Sequence, residues 1–425
     1  MKKRVAHWLK VGIAIVSVPL LFGGCGSDDT TVVIVNDGSS LSSLEMLGKK
    51  LFFDVNLSTP KGQSCAACHA AETGFTGPTM AINTAGSVYP GAIGERFGNR
   101  KPPSAAYATQ SPIFHFDDAE GLFHGGNFWD GRATGEQLGN PAADQALGPF
   151  LNPVEQNMAS ATAVCEEVAA SSYAPLFKDA FPGVAAPLDC VNDVVGSFNR
   201  IGLAIAAYEA SPEVNAFTSK YDYYLRGQVQ LSTQELAGLA LFEGKGMCNL
   251  CHPSELGPGG ELPLFTDYSF DNLGVPKNLA NPFYTMDTVL INGNPINPLG
   301  DAWIDNGLGA FLETRLDYQA MALENMGKQK VPTLRNVDKR PNPSFVKAYT
   351  HNGFFKSLES IVHFYNTRDV LPVCNATGIP GVDCWPAPEV AINVNVAELG
   401  NLGLTAAEEA ALVAFMKTLS DGYQP

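Results

Sequence analysis

The sequence predicts a mainly α-helical fold, in which two related domains are connected by long, irregular loops. Three observations support this prediction. Apolar residues recur at helical spacing after capping-box patterns, strand-like alternation is sparse, and 42 glycines and 29 prolines fall largely between the helical runs. With 45% hydrophobic and 16% charged residues, the composition is typical of a compact globular protein.

The N-terminal segment is similar to an export signal. MKKR supplies a positive start, and VGIAIVSVPLLFGG is an apolar run too short to span a bilayer. The run ends at Cys25, which in a bacterial lipoprotein signal would be lipidated; a plain secretory signal is the alternative. We expect a signal peptide over 1–25, a flexible tether over 26–43, and an exported protein on the periplasmic or cell-surface side. Because Gly26, and not Asp, follows Cys25, an outer-membrane anchor is preferred.

The rest of the chain divides into two similar halves. SSLEMLGKKLFFD and LSTQELAGLALFEGKG each begin with a capping box, Ser42 with Glu45 and Ser232 with Glu235, and each leads into a Cys-x-x-Cys-His pentad. A helix with apolar residues from Val194 to Tyr208 lies between the pentads, and a last helix closes the chain. We expect domains over 44–225 and 226–425.

Each pentad predicts covalent attachment of a c-type haem. Two cysteines form thioethers with the porphyrin edge, and the adjacent histidine then lies under the ring, where it can ligate the iron. A structural zinc site built from both Cys-x-x-Cys pairs is the alternative, and export to a compartment where c-type haems are assembled weighs against it. The attachment residues are Cys65, Cys68 and His69 for the first haem and Cys248, Cys251 and His252 for the second.

The remaining cysteines indicate disulfides. Of the nine cysteines in the chain, four lie outside the pentads and the signal. In an exported protein an even number favours two structural disulfides, most simply Cys165 with Cys190 and Cys374 with Cys384, with the two other pairings left open.

The net charge of −16 argues against a nucleic-acid partner, because phosphate binding needs clusters of Lys and Arg. An acidic surface instead suits a cationic protein partner, such as a basic redox protein. Function depends on the sixth coordination position of each iron, since an open position permits peroxide chemistry and a closed one favours electron transfer. Candidates for that position, from residue type alone, are His115, His124, His351, His363, Met247, Met286, Met321 and Met326.

From about Leu44 to about Leu419, the chain resembles the bacterial di-haem cytochrome c peroxidase and MauG superfamily. The resemblance rests on ordered motifs: LGKKLFFD before CAACH, then GNFWDGRA, DQALGPFLNPVE, LFEGKGMCNLCH, VPTLRNV and HNGFFKSLESIVHFYNTRD. It implies two cytochrome c-like haem domains, a peroxide-reactive N-terminal haem and an electron-relay C-terminal haem. It also implies that Gln145, Pro149 and Glu155 line the peroxide pocket, with Glu155 as acid and base, and that Trp129 lies between the haems.

Three positions depart from the peroxidase branch. Tyr365 stands where that branch has a methionine ligand of the second haem, which resembles the MauG branch. His363 is the competitor, but two positions apart on a helix point about 200° apart, so only one can face the iron. Glu95 stands near the place of a distal histidine, so the first haem is expected to be open or weakly capped. Lys101 replaces the asparagine of a calcium site between the domains, which makes calcium doubtful since an ammonium has no lone pair.

The resemblance therefore implies a MauG-like peroxidase or oxidase. It would react with hydrogen peroxide at the N-terminal haem and oxidise a protein substrate, with a tryptophan side chain as the expected target, by long-range electron transfer through the second haem. The first alternative is a cytochrome c peroxidase that detoxifies peroxide with a small cytochrome or copper protein as donor. The second alternative is a non-enzymatic di-haem electron carrier, which requires two six-coordinate irons.

Overall fold

A computed structural model describes residues 41–425 of the protein. The predicted signal peptide, Cys25 and most of the tether lie outside the described residues. Helices predominate and the strands are short, which confirms the mainly helical prediction. The helices are α1 Ser43–Phe52, α2 Met80–Thr84, α3 Pro141–Leu151, α4 Ala161–Ala169, α5 Leu176–Ala180, α6 Val194–Ala210, α7 Lys220–Leu225, α8 Thr233–Glu243, α9 Gly307–Glu313, α10 Leu358–Thr367 and α11 Ala406–Lys417.

The strands of the described chain form three separate antiparallel pairs. Two of the pairs are local hairpins, and the third joins segments that are distant in sequence. The pairs are β1 His115–Asp117 with β2 Leu122–His124, β3 Phe270–Asp271 with β6 Gln329–Lys330, and β4 Leu290–Ile291 with β5 Asn294–Pro295.

In the N-terminal half, α1 packs on α6 at a glycine. The predicted capping box of α1 is present, with Ser42 accepting from the Glu45 amide and Glu45 from the Ser42 amide. A Cβ on Gly48 would lie 1.8 Å from the backbone oxygen of Ala204, so only glycine lets the two backbones approach this closely. Around this crossing lies a core with side chains from 47 to 214.

The C-terminal half repeats this arrangement with α8 and α11. Both helices begin at predicted capping boxes, Ser232 with Glu235 and Thr405 with Glu408. A Cβ on Gly238 would lie 2.0 Å from the backbone oxygen of Ala411. The second core contains side chains from 221 to 419, so it includes Tyr221, just before the boundary expected at 225/226.

Two disulfides are present among the described residues. Cys165 of α4 pairs with Cys190 in the loop before α6, and Cys374 pairs with Cys384 within a single loop. These are the pairings that the sequence analysis preferred. The four pentad cysteines take part in neither disulfide. Within residues 41–425, no helix has both the length and the apolar character needed to cross a bilayer.

Candidate haem centres

Each pentad folds into one turn of 3-10 helix, over Cys65–Ala67 and over Cys248–Leu250. The amide of His69 donates to the backbone oxygen of Cys65 at 3.0 Å, and that of His252 donates to Cys248 at 2.9 Å. This turn holds both cysteines and the histidine of each pentad at one place. The two halves therefore share one local geometry for the attachment residues.

The two histidine rings are oriented by the same kind of contact. His69 Nδ1 lies 3.1 Å from the backbone oxygen of Phe75, and His252 Nδ1 lies 2.7 Å from that of Phe265. Both phenylalanines have left-handed backbones, with φ of 56° and 54°, which turn their carbonyls towards the rings. A hydrogen bond from Nδ1–H to a carbonyl leaves Nε2 available for a metal. Burial lowers the pKa of both histidines, which favours the neutral, ligating form.

Each pentad lies in the wall of its own cavity. The first cavity has a volume of about 580 Å³ and the second about 210 Å³. Paired thiols with an adjacent, carbonyl-oriented imidazole in an apolar cavity are the donor set that a covalently attached haem requires, so the residues fit this cofactor. The first cavity is lined by Cys65, Cys68, His69, Trp129, Gln145, Pro149 and Glu155, and the second by Trp129, Cys248, Cys251, His252 and Tyr365, among others.

The first cavity collects the polar residues that the resemblance indicated. Gln145 and Pro149 lie one turn apart on α3 and therefore on the same face of that helix. Glu155 follows the helix, and its Oε2 accepts a hydrogen bond from Asn152 Nδ2 at 2.8 Å. Burial raises the pKa of Glu155. Burial and then the Glu155 charge raise the pKa of the Cys68 thiol to about 12, so carboxylate and thiol are close.

Among the described residues, the lining of the first cavity offers no second histidine that could ligate the iron. Among the described residues that line it, His69 is the only histidine. Glu95, the residue nearest to the expected distal position, is exposed and does not line the cavity. Besides His69, the lining of this cavity includes Gln145, Pro149 and Glu155.

The second cavity receives Tyr365 from α10. Tyr365 lines the cavity together with Cys248, Cys251 and His252. His363 lies on another face of the helix and does not line the cavity; its Nδ1 is 3.0 Å from Glu409 Oε1. Burial is the main cause that raises the pKa of Tyr365, and the charges of the two cysteines raise it further. A nearby cation is therefore needed to stabilise its phenolate.

The other candidates for a sixth ligand lie elsewhere or serve other contacts. His115 and His124 face each other across the β1–β2 hairpin. His351 and Met247 do line the second cavity. The Nε2 of His351, however, lies 3.9 Å from Asp305 Oδ2 in a buried ionic cluster with Arg100.

Trp129 is part of the wall that the two cavities share. It is 8% exposed and lines both cavities. The Nε1 of Trp129 donates to the backbone oxygen of Lys101 at 2.8 Å. The amide of Lys330 donates to the backbone oxygen of Trp129 at 2.7 Å. The side chain and the backbone of Trp129 are thus fixed by two lysine residues, one from each half of the chain.

Some residues of the two sites had no signal in the sequence analysis. The backbone oxygens of Phe75 and Phe265 orient the histidines through a left-handed conformation that residue type does not reveal. Ile291 and Asn294 of the β4–β5 hairpin line the first cavity, although this loop region had no assigned role. The sequence also did not predict the position of Lys330 beside Trp129, because that position depends on tertiary contact.

Two haem attachment sites, one in each of two similarly packed helical halves, define a di-haem protein of the c type. The family model of di-haem cytochrome c peroxidase matches residues 42–230. The methylamine utilization protein MauG of Paracoccus denitrificans is 34% identical over 390 residues, which is 90% of each chain. Cytochrome c551 peroxidase of Pseudomonas aeruginosa is 35% identical over 209 residues, 48% of this chain and 49% of that protein.

Among solved structures, the diheme peroxidase BthA of Burkholderia thailandensis superposes with a TM-score of 0.70 at 31% identity, covering 89% of this chain and 86% of that one. A MauG-like protein associated with microbial copper homeostasis shares the fold, with a TM-score of 0.58 at 24% identity, covering 91% and 92% of the two chains. The chain belongs to the di-haem cytochrome c peroxidase and MauG family, and it is a di-haem oxidoreductase.

Proposed function

We propose that the protein reacts with hydrogen peroxide at the first cavity and oxidises a side chain of a partner protein, with tryptophan as the expected target. The observation that carries this proposal is the contrast between the cavities. The larger one is lined by Gln145 and Glu155 together with its histidine, whereas the smaller one is lined by Tyr365 together with its own. When bound, the two haems supply iron that takes up peroxide and holds the oxidising equivalents until the partner's electrons arrive.

The chain's own residues manage protons and position. Glu155 accepts the proton that peroxide loses on binding and returns it to the oxygen that leaves as water, and a carboxyl with a raised pKa is suited to both steps. Asn152 holds the Glu155 carboxylate by a hydrogen bond of 2.8 Å. Gln145 offers an amide that can hold peroxide beside this group. The overall balance is two electrons from the partner and two protons for each peroxide reduced to two waters.

Tyr365 supports long-range oxidation rather than simple storage of electrons. A phenolate is a hard, anionic donor that stabilises oxidised iron, whereas a thioether raises the reduction potential. Trp129 lies in the wall between the two cavities, where an aromatic ring can pass electrons from one site to the other. The net charge of −16 favours a basic surface on the partner. Export and attachment through Cys25 belong to the same proposal.

The second candidate function is peroxide detoxification with a small cytochrome or copper protein as electron donor, which the likeness to cytochrome c551 peroxidase favours. One experiment separates the two. The fully ferric holoprotein is mixed with one equivalent of peroxide in the absence of reductant. The MauG-like proposal expects prompt reaction, followed by oxidation of tryptophan in an added basic protein, read by mass spectrometry. A protein that is inert until one haem is reduced would instead be a donor-dependent peroxidase.

A further inference from the structure

The wall shared by the two cavities contains two lysines with no carboxylate partner. Lys101 and Lys330 line both the first and the second cavity, beside Trp129. Within residues 41–425, neither ammonium is in an ion pair. Lys101 Nζ donates to Thr76 Oγ1 at 3.1 Å and to the Pro102 backbone oxygen at 3.0 Å.

The other cations that line the cavities are already neutralised or saturated. Every arginine there is paired with an aspartate: Arg100 with Asp130 and Asp305, Arg132 with Asp130, and Arg335 with Asp222. Lys347 lines only the second cavity, and its three donors are used on the backbone oxygens of Thr73, Asn336 and Lys339. Lys101, by contrast, has three N–H donors and two protein acceptors.

An unpaired ammonium in this position is costly. Burial lowers the pKa of Lys101 to about 8, with the Lys356 charge as a second cause, and burial lowers that of Lys330 to about 7. A buried charge is ordinarily paired or neutralised. Lys330 has Ser111 Oγ, the Gly126 backbone oxygen and Asn127 Oδ1 as acceptors, so its hydrogen bonds are complete while its charge is not balanced.

The cavities supply an anion of the right kind when they hold their cofactor, because each haem carries two propionate carboxylates. We propose that Lys101 binds a propionate of each haem, with Lys330 as a second positive charge beside it, so that one cationic site in the shared wall serves both cofactors. The Lys101 and Lys330 backbones also hold Trp129. The same two residues thereby fix the ring between the haems and balance the charge on either side of it.

This site has a consequence that an ordinary structural lysine lacks. A positive charge near a haem favours the reduced iron, so removing a charge that lies between two haems lowers the reduction potential of both. The inference requires the two haems but not the proposed partner, so it stands or falls separately from the proposed function.

The test is spectroelectrochemical titration of the holoprotein at pH 6, below the pKa of both lysines, in wild type, Lys101→Met and Lys101→Arg. Lys101→Met is expected to lower both midpoint potentials by the equivalent of about tenfold in the redox equilibrium, or about 59 mV for one electron. Lys101→Arg, which keeps the charge, is expected to stay near wild type. The matched control is Lys277→Met, which removes another lysine bound to backbone oxygens that lines neither cavity.

The proposal is overturned if Lys101→Met shifts neither haem, shifts only one, or shifts both no more than Lys277→Met does. Should Lys101→Met fail to fold or to take up two haems, resonance Raman spectra of the wild-type holoprotein decide the matter. Propionate bending bands at the position of ion-paired carboxylates would support the site, and bands at the position of solvated propionates would contradict it.

Discussion

The two cavities share the turn that carries the attachment residues and differ in the other residues that line them. In both, a 3-10 turn presents two cysteines and a histidine, and a left-handed phenylalanine orients the imidazole. The cavity of His69, of about 580 Å³, is also lined by Gln145 and Glu155, and the cavity of His252, of about 210 Å³, is also lined by Tyr365. Two similarly packed halves thus present two chemical environments, which differ through a few residues outside the shared turn.

The difference indicates where each property resides. Helices α1 with α6 and α8 with α11 repeat the packing that holds a haem, down to a glycine at each crossing. The residues that distinguish the sites come from α3, the loop after it, and α10. Reactivity with peroxide is therefore expected to depend on α3 and its loop, and the fate of the oxidising equivalents on α10.

The largest effect is expected from Glu155→Gln. Loss of a positioned general acid and base typically costs about 10² to 10⁴ in rate. The amide keeps the shape of the side chain and its contact with Asn152, but it cannot carry the proton. The bimolecular rate of the ferric holoprotein with peroxide, measured by stopped-flow absorbance, should fall by that factor. The control is Glu95→Gln, an exposed glutamate outside the cavity, which should react at the wild-type rate.

A rate for Glu155→Gln within twofold of wild type would remove the chemical distinction between the two cavities. It would mean that the cavity of His69 differs from the other only in size.

The repeated helix crossings provide the next largest effect. Gly48→Ala and Gly238→Ala each place a Cβ within about 2 Å of a backbone oxygen. Overpacking of this kind is expected to lower the free energy of unfolding by about 1–3 kcal/mol. Gly94→Ala, where a Cβ would meet nothing within 4 Å, is the control and should change stability by less than about 0.5 kcal/mol. Thermal unfolding of the three holoproteins is the measurement. A tolerated alanine at one crossing only would show that the two halves are not packed alike.

A smaller effect concerns pH. Glu155 acts as a base only when ionised, and burial raises its pKa. As pH falls through that raised pKa, the carboxylate becomes protonated and the rate with peroxide should decline. This decline should begin at a higher pH than it would for an exposed glutamate, whose pKa is about 4.3. Stopped-flow rates across acidic pH should show this limb in wild type and not in Glu155→Gln. An identical acid limb in both proteins would assign the titration to another group.

The sequence was sufficient for the parts of the structure that depend on local pattern. The capping boxes at Ser42, Ser232 and Thr405 each start a helix, because a side-chain oxygen and an acidic residue three positions later satisfy backbone amides locally. The spacing argument that separates His363 from Tyr365 also agrees with their placement, since it follows from helix geometry alone.

What depends on tertiary contact was not predictable. The carbonyls of Phe75 and Phe265 reach the histidines through a positive φ that favours glycine, so residue type gave no warning. Lys330 lies in β6, which pairs with β3, a strand distant in sequence. This pairing brings Lys330 to Trp129. The β4–β5 hairpin lines the first cavity by folding across from the other half of the chain.

The most direct test of the division between the cavities is the lifetime of the oxidised species after one equivalent of peroxide is mixed with the fully ferric holoprotein. Wild type is compared with Tyr365→Phe and with His363→Gln, the neighbouring helix position that lies outside the cavity. The account predicts a long-lived oxidised species in wild type and His363→Gln, and one that is lost or much shorter in Tyr365→Phe. Equal lifetimes in wild type and Tyr365→Phe, or an effect confined to His363→Gln, would contradict it.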